Sequence, residues 1–188
     1  MQQKTAGFTF IEALIVIALI GILVAIGIPN LSPLIVRNTI ASHSNHLMAS
    51  LQYARSEAIK RGVNVAVCRA DSAAADRCAA ANSDWSLGWL VYVNDGSAGS
   101  IAPQNILRYA DPVAAPYTIK ALTGSGGIKQ LIWGATGELL SAGIGIGAAR
   151  FEISNLAGHY AAHSRAICIS SGGRPRIVQA TATGLSCS

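Results

Sequence analysis

Polar residues are scarce at the start of this chain and regular thereafter. Across Phe8–Ile28 only Thr9 and Glu12 are polar. As a helix that stretch would run roughly 30 Å, the thickness of a bilayer core. Pro29 and Pro33 then predict a short break, after which helix resumes to Gly62. In the resumed part Ile40, Leu47, Leu51, Ala54 and Ala58 recur at helical spacings and form one apolar face. Arg55, Glu57, Lys60 and Arg61 lie off that stripe. Gly62 is a natural C-terminal cap, and Lys60 and Arg61 suit the negative end of the helix dipole.

Beyond Gly62 the period changes from helix to strand. Val63–Cys68 alternates, and Gly88–Val93 is rich in aromatic and β-branched residues before the turn sequence Asn94-Asp95-Gly96-Ser97. Tyr117–Leu122, Lys129–Trp133, Arg150–Ile153, Arg165–Ser170 and Arg176–Ala180 are further strand candidates. Gly and Ser clusters at 123–127, 141–147 and 171–173 separate them, and 69–84 reads as a loop. The pattern predicts an α+β chain with a long N-terminal helix, its first half transmembrane, packed on a C-terminal antiparallel β domain. The expected divisions are 1–7, 8–28, 29–62 and 63–188.

Charge and cysteine content add two constraints. The net charge is +5, from 14 basic and 9 acidic residues. The last acid is Glu152, whereas Arg165, Arg174 and Arg176 follow it together with His159 and His163. Such a one-sided basic tail suits an anionic partner, nucleic acid or a membrane surface, although in an arbitrary protein a solubilising surface is the commoner explanation. All four cysteines follow the apolar segment, which predicts two disulfides in an oxidising compartment. Of the three connectivities, Cys68–Cys78 with Cys168–Cys187 closes two short local loops and is the one expected, each worth ~3 kcal/mol. No Cys-x-x-Cys occurs, so a metal site is not expected.

Three explanations of the N-terminus compete. A secretory signal has a shorter apolar region. A plain anchor explains the length and Lys4, but leaves an acid in the apolar run, where a carboxylate costs about 2.5–3.5 kcal/mol. The segment Gly7-Phe8-Thr9-Phe10-Ile11-Glu12 resembles the cleavage site of type IV prepilins and type II secretion pseudopilins. That resemblance implies cleavage after Gly7 by a prepilin peptidase, N-methylation of Phe8, and pairing of Glu12 with the N-terminal ammonium of a neighbouring subunit. It also implies that Gly21 and Pro29 mark places where pilin helices loosen on assembly.

The soluble part narrows the group. Leu51-Gln-Tyr-Ala-Arg55-Ser-Glu57-Ala-Ile59-Lys-Arg61-Gly-Val63 and Gly88-Trp89-Leu90-Val91-Tyr92-Val93-Asn94-Asp95 resemble the FimT/GspH group of minor pilins and pseudopilins. The group implies a long helix followed by two β-sheets. It also implies other pilins as partners, a periplasmic domain on a single-pass inner-membrane precursor, and a later place in a pilus fibre.

The sharpest element outside the N-terminus is Ser170-Ser171-Gly172-Gly173-Arg174-Pro175-Arg176-Ile177. Arginines at i and i+2 on an extended backbone project to one side, roughly 7 Å apart, which suits successive phosphates. Pro175 lacks a backbone donor and predicts an edge strand or loop. Gly173-Arg174-Pro175-Arg176 resembles the Gly-Arg-x-Arg element of FimT-type minor pilins, which bind DNA during natural transformation. So few arginine contacts predict weak, sequence-independent duplex binding, with Arg165 and Arg150 as further candidates that the sequence does not place on one face. A structural minor pilin of the FimU kind and a GspH-type pseudopilin are the alternatives, and two exposed arginines on an edge strand can also simply keep neighbouring sheets apart. Trp85, Trp89 and Trp133 are expected in the core rather than stacked on bases. His159 and His163 have the spacing of a metal pair only in a helix, and Gly124–Gly127 lacks the lysine of a phosphate loop. Nothing resembles a nucleophile elbow or a paired-acid site, so no enzyme and no cofactor are expected.

Overall fold

The computed structural model describes residues 7–71, 77–79, 84–96, 101–123, 126–141, 149–179 and 187, with the side chains of 26–30, 123, 126 and 158–160 left aside. The leader positions 1–6, the 142–147 part of the glycine-rich cluster, Gly124, Ala180 and the His159 side chain lie outside this description.

Helix α1 runs Phe10–Arg61. Thr9 starts it: its carbonyl accepts from the Ala13 amide at 3.2 Å and its hydroxyl from the Glu12 amide at 3.3 Å, which occupies one of the amides a helix start leaves open. Gly62 ends it at φ +66°, donating to the Ala58 carbonyl at 2.9 Å. The break expected at Pro29 and Pro33 does not occur, and α1 passes through both positions as helix. A proline removes one hydrogen bond of the ladder, and the bonds on either side keep the helical path.

The chain divides into two compact units, Met1–Val36 and Arg37–Ser188. In the first, the apolar side chains of α1 face outward: Phe8 is 83% and Phe10 81% exposed, and Ile11, Leu14, Ile17, Leu19 and Leu23 are exposed too. Among the described residues no helix is long and apolar enough to cross a membrane. The described side chains of the apolar stretch stop at Ala25, short of the Ile28 boundary.

In the second unit, α1 buries the stripe read from its periodicity: Ile40, Leu47, Leu51, Ala54 and Ala58 are all fully enclosed. Glu57, expected off that stripe, is buried instead, with Arg61 Nε on its Oε2 and Lys60 Nζ 4.0 Å from its Oε1. Two cations one turn away offset the cost of burying that carboxylate.

Two five-stranded sheets follow. The first contains β1 (Val65–Arg69), β2 (Trp89–Val93), β3 (Ile106–Ala110), β6 (Gln130–Trp133) and β7 (Leu139–Ser141), in the order β3-β2-β1-β6-β7. The second contains β4 (Tyr117–Thr123), β5 (Gly126–Gly127), β8 (Ala149–Asn155), β9 (Arg165–Ile169) and β10 (Pro175–Gln179), in the order β10-β9-β8-β4-β5. Every pairing is antiparallel. Both sheets turn a face to α1. His46 lies 5.2 Å from Trp89 of the first sheet and His43 lies 5.6 Å from Tyr117 of the second, ring centre to ring centre. On its other face the first sheet gathers Ala66, Cys68, Leu90, Tyr92 and Ile101 into a second apolar cluster. Trp85, Trp89 and Trp133 are all core residues. Trp85 packs edge-on to Phe151 at 4.9 Å and donates its indole N–H to the Ile128 carbonyl.

Cys68 is bonded to Cys78 and Cys168 to Cys187, with Cα atoms 5.6 Å apart in each case. The first disulfide ties β1 to the following loop, where Ala70 bridges Cys78. The second joins the outer end of β9 to the C-terminal segment.

Candidate nucleic-acid interface

The β9–β10 hairpin is built around Gly173. This glycine is buried at φ +72°, a conformation side chains rarely adopt. A Cβ there would sit 2.4 Å from the Gly137 carbonyl oxygen and 3.0 Å from the Trp133 ring. The close approach lets Trp133 donate its indole N–H to the Gly173 carbonyl at 3.0 Å. Gly173 also donates to the Ser170 carbonyl at 2.8 Å, and the Leu139 amide reaches the Ser171 carbonyl at 3.2 Å. The hairpin tip of the second sheet is therefore fastened to β6 and β7 of the first, and Arg174 leaves a fixed backbone.

β10 is an edge strand, and Pro175 at its start removes one donor from the pairing. Arg174 and Arg176, two residues apart, are both exposed. Directly opposed residues of neighbouring strands share a face, and Arg176 opposes Cys168, which in turn opposes Arg150. Arg150, Cys168 and Arg176 thus form one row across β8, β9 and β10, with the outer two Cα atoms about 10 Å apart by ordinary strand spacing. Within the row, Arg176 donates from Nη2 to the Cys187 carbonyl at 3.1 Å, so the Cys168–Cys187 disulfide holds the acceptor beside it. A groove of about 480 Å³ is lined by Arg174, Arg176, Ser170 and the disulfide. Among the described residues the carboxylates on this face are Glu152, which stands opposite Lys120, and Asp84, which bridges Lys120 from its other side.

Arg165 does not join them. It opposes Ile153 and Gln179, on the alternate face of β9. There it lines a separate groove with Arg37 and His163. Sequence reasoning could not separate Arg150 from Arg165, because only the register tells which face each takes. It also passed over Arg55. This residue, half-buried on α1, donates Nε–H to the Gly137 carbonyl at 2.8 Å, the same oxygen that crowds Gly173. Its position off the apolar stripe was the only available signal. Among the described residues no group of three or more His, Cys, Asp or Glu could hold a metal ion.

Glu12 stands in the first turn of α1, exposed, with its carboxylate in no ion pair among the described residues. Around it the chain presents only Thr9 and apolar side chains.

Residues 43–173, most of the second unit, match the family model for the type II transport protein GspH. The chain belongs to this GspH family. Residues 2–28 match the prokaryotic N-terminal methylation motif, which covers the leader and the apolar stretch. A crystal structure of the type IV minor pilin FimU of Pseudomonas aeruginosa (strain PAO1) superposes with a TM-score of 0.58 at 27% identity, covering 81% of this chain and 96% of that one. A second crystal form of the same FimU gives 0.55 at 25% identity, covering 73% and 91%. No curated protein matches the chain. Family and fold together make the chain a minor type IV pilin or GspH-like pseudopilin, of a class that is structural rather than enzymatic. The methylation motif implies a membrane-anchored precursor, processing by a prepilin peptidase, and assembly with other pilins.

Proposed function

We propose that this GspH-family protein is a minor pilin that binds duplex DNA without sequence preference through Arg174 and Arg176, for DNA uptake in natural transformation. The observation that carries this reading is the pair of exposed arginines on an edge strand whose turn is locked by Gly173 against Trp133 and Gly137. A fixed backbone beneath the two cations lowers the ordering cost of meeting phosphates. Arg150 adds a third positive charge in the same cross-strand row, whereas Arg165, on the other face, takes no part. With so few phosphate contacts, affinity per subunit falls near 10⁻⁴–10⁻⁶ M and drops steeply with salt. Several subunits in a fibre raise it by avidity.

In this reading residues 1–7 are a leader cut after Gly7, Phe8 is the methylated N-terminus, and Glu12 pairs with the terminal ammonium of a neighbour. Residues 8–28 hold the precursor in the inner membrane with the 63–188 domain in the periplasm, until the subunit enters the pilus. Titrating the detergent-solubilised chain with labelled duplex DNA tests the site. Binding that Arg174→Gln/Arg176→Gln leaves unchanged rejects it.

A second reading is favoured by the FimU likeness: a structural minor pilin that primes assembly without touching DNA. The family's description as a type II transport protein keeps a secretion pseudopilin as its variant. A deletion strain scored for transformation, twitching and exoprotein release separates all three.

A further inference from the structure

A second groove, about 380 Å³, adjoins the first. Gln52, Arg55, Ser56 and Ile59 of α1 form one wall, and Arg174 and Pro175 form the other. Arg174 and Pro175 line both grooves, so they form the ridge between them. Arg55 is held in place by its Nε bond to the Gly137 carbonyl, and that carbonyl packs against Gly173, the residue before Arg174. One peptide oxygen thus fixes the helix arginine beside the hairpin arginine. The bond uses only Nε, which leaves the Nη nitrogens of Arg55 without a hydrogen bond among the described residues. The helix wall adds the exposed amide of Gln52, and among the described residues no carboxylate lines the groove.

We infer that this groove is a second phosphate site, in which Arg55 and Arg174 share one backbone phosphate while Arg174 and Arg176 take the next. The duplex then crosses the Arg174–Pro175 ridge from the edge of the second sheet onto the C-terminal part of α1, instead of following β10 alone. Gln52 is a neutral donor on the helix wall, whereas the Ser56 hydroxyl donates to the Tyr53 carbonyl at 2.8 Å. The inference rests on the DNA-binding reading above, and it adds a helix to a site otherwise confined to one hairpin.

The test is fluorescence anisotropy of the full chain in detergent with a labelled duplex, repeated over a salt series. Arg55→Gln is expected to weaken binding about 3–10-fold and to lower the salt slope by about 0.9, the amount lost with one phosphate contact. Because Arg55 also supports the Gly137 turn, two exposed variants accompany it. Gln52→Glu is expected to weaken binding about threefold and Gln52→Lys to tighten it by a similar factor at low salt, with the slope moving in opposite directions. Should both Gln52 variants bind as wild type does while Arg174→Gln/Arg176→Gln abolishes binding, the helix groove is rejected and the hairpin site stands. If the wild-type chain does not bind duplex DNA at all, the inference falls together with the reading it rests on.

Discussion

Two outward-facing surfaces of this chain work by opposite physical rules. The start of α1 is an apolar rod bearing one acid, and its side chains from Phe8 to Val24 lie exposed. The β9–β10 hairpin is a short cationic edge on a backbone locked by a positive-φ glycine, an indole hydrogen bond and a neighbouring disulfide. Apolar contact is non-directional and scales with area, so the rod needs length and composition rather than a fixed local shape. In the proposed reading one charge, Glu12, sets its register. Phosphate recognition is directional and works by few contacts, so a hairpin that grips phosphates, as proposed, depends on rigidity supplied by distant parts of the fold. Damage should therefore stay local in the first region and spread across both sheets in the second.

The largest effect on assembly is expected at Glu12. Glu12→Leu should leave membrane insertion intact, since it removes a charge from an apolar segment. It should lower incorporation into fibres by about tenfold or more, as loss of an ion pair worth roughly 1.4 kcal/mol or more requires. Quantifying the subunit in sheared fibres against the membrane fraction measures this, and undiminished incorporation would break the contrast. Next comes the covered half of the same helix. Leu51→Ala empties a fully enclosed position and should cost about 2–5 kcal/mol in denaturant unfolding, whereas Leu19→Ala, on the exposed stretch, should change unfolding by under about 0.5 kcal/mol.

Gly173→Ala sharpens the hairpin side. It forces a side chain into a positive-φ site against the Gly137 carbonyl and Trp133, at a cost of about 1–3 kcal/mol. Near-ultraviolet circular dichroism should report a changed Trp133 environment, and DNA affinity should fall although both arginines remain. The smallest effect is a pH dependence. Burial, followed by the charge of His46, lowers the pKa of His43 below its ordinary 6.5. The unfolded chain then takes up that proton before the folded one, so stability is fully present above pH 6.5 and declines as pH falls from there toward the folded pKa. In His43→Gln that decline should flatten, as read from melting temperatures between pH 7.5 and 5.

How much could be read from the sequence follows the same division. The methylation motif, the buried helix stripe and seven strands were legible because each is carried by contiguous residues with a clear period. β3, β5 and β7 were not. Ile106–Ala110 lacks a clean alternation, Gly126–Gly127 has no side chains to signal with, and Leu139–Ser141 is only three residues. These strands exist because β2, β4 and β6 offer them partners. Pro29 and Pro33 suggested a break that the helix does not make. Glu57 lies off the apolar stripe, yet it is buried with Arg61 and Lys60 one turn on. At the candidate site, Gly173-Arg174-Pro175-Arg176 was visible as a motif. Its anchoring to Trp133 and Gly137, the proximity of Arg55, and the divergence of Arg150 from Arg165 depend on register and tertiary packing, which no local pattern encodes.

The locked hairpin is proposed to grip phosphates. Titration of the detergent-solubilised chain with a labelled duplex across a salt series tests it most directly. Wild type should bind with an affinity that falls steeply as salt rises. Arg174→Gln/Arg176→Gln should weaken binding at least tenfold and flatten the slope by about 1.8, as the loss of two phosphate contacts requires. Equal affinities and equal slopes for the two proteins would contradict the claim.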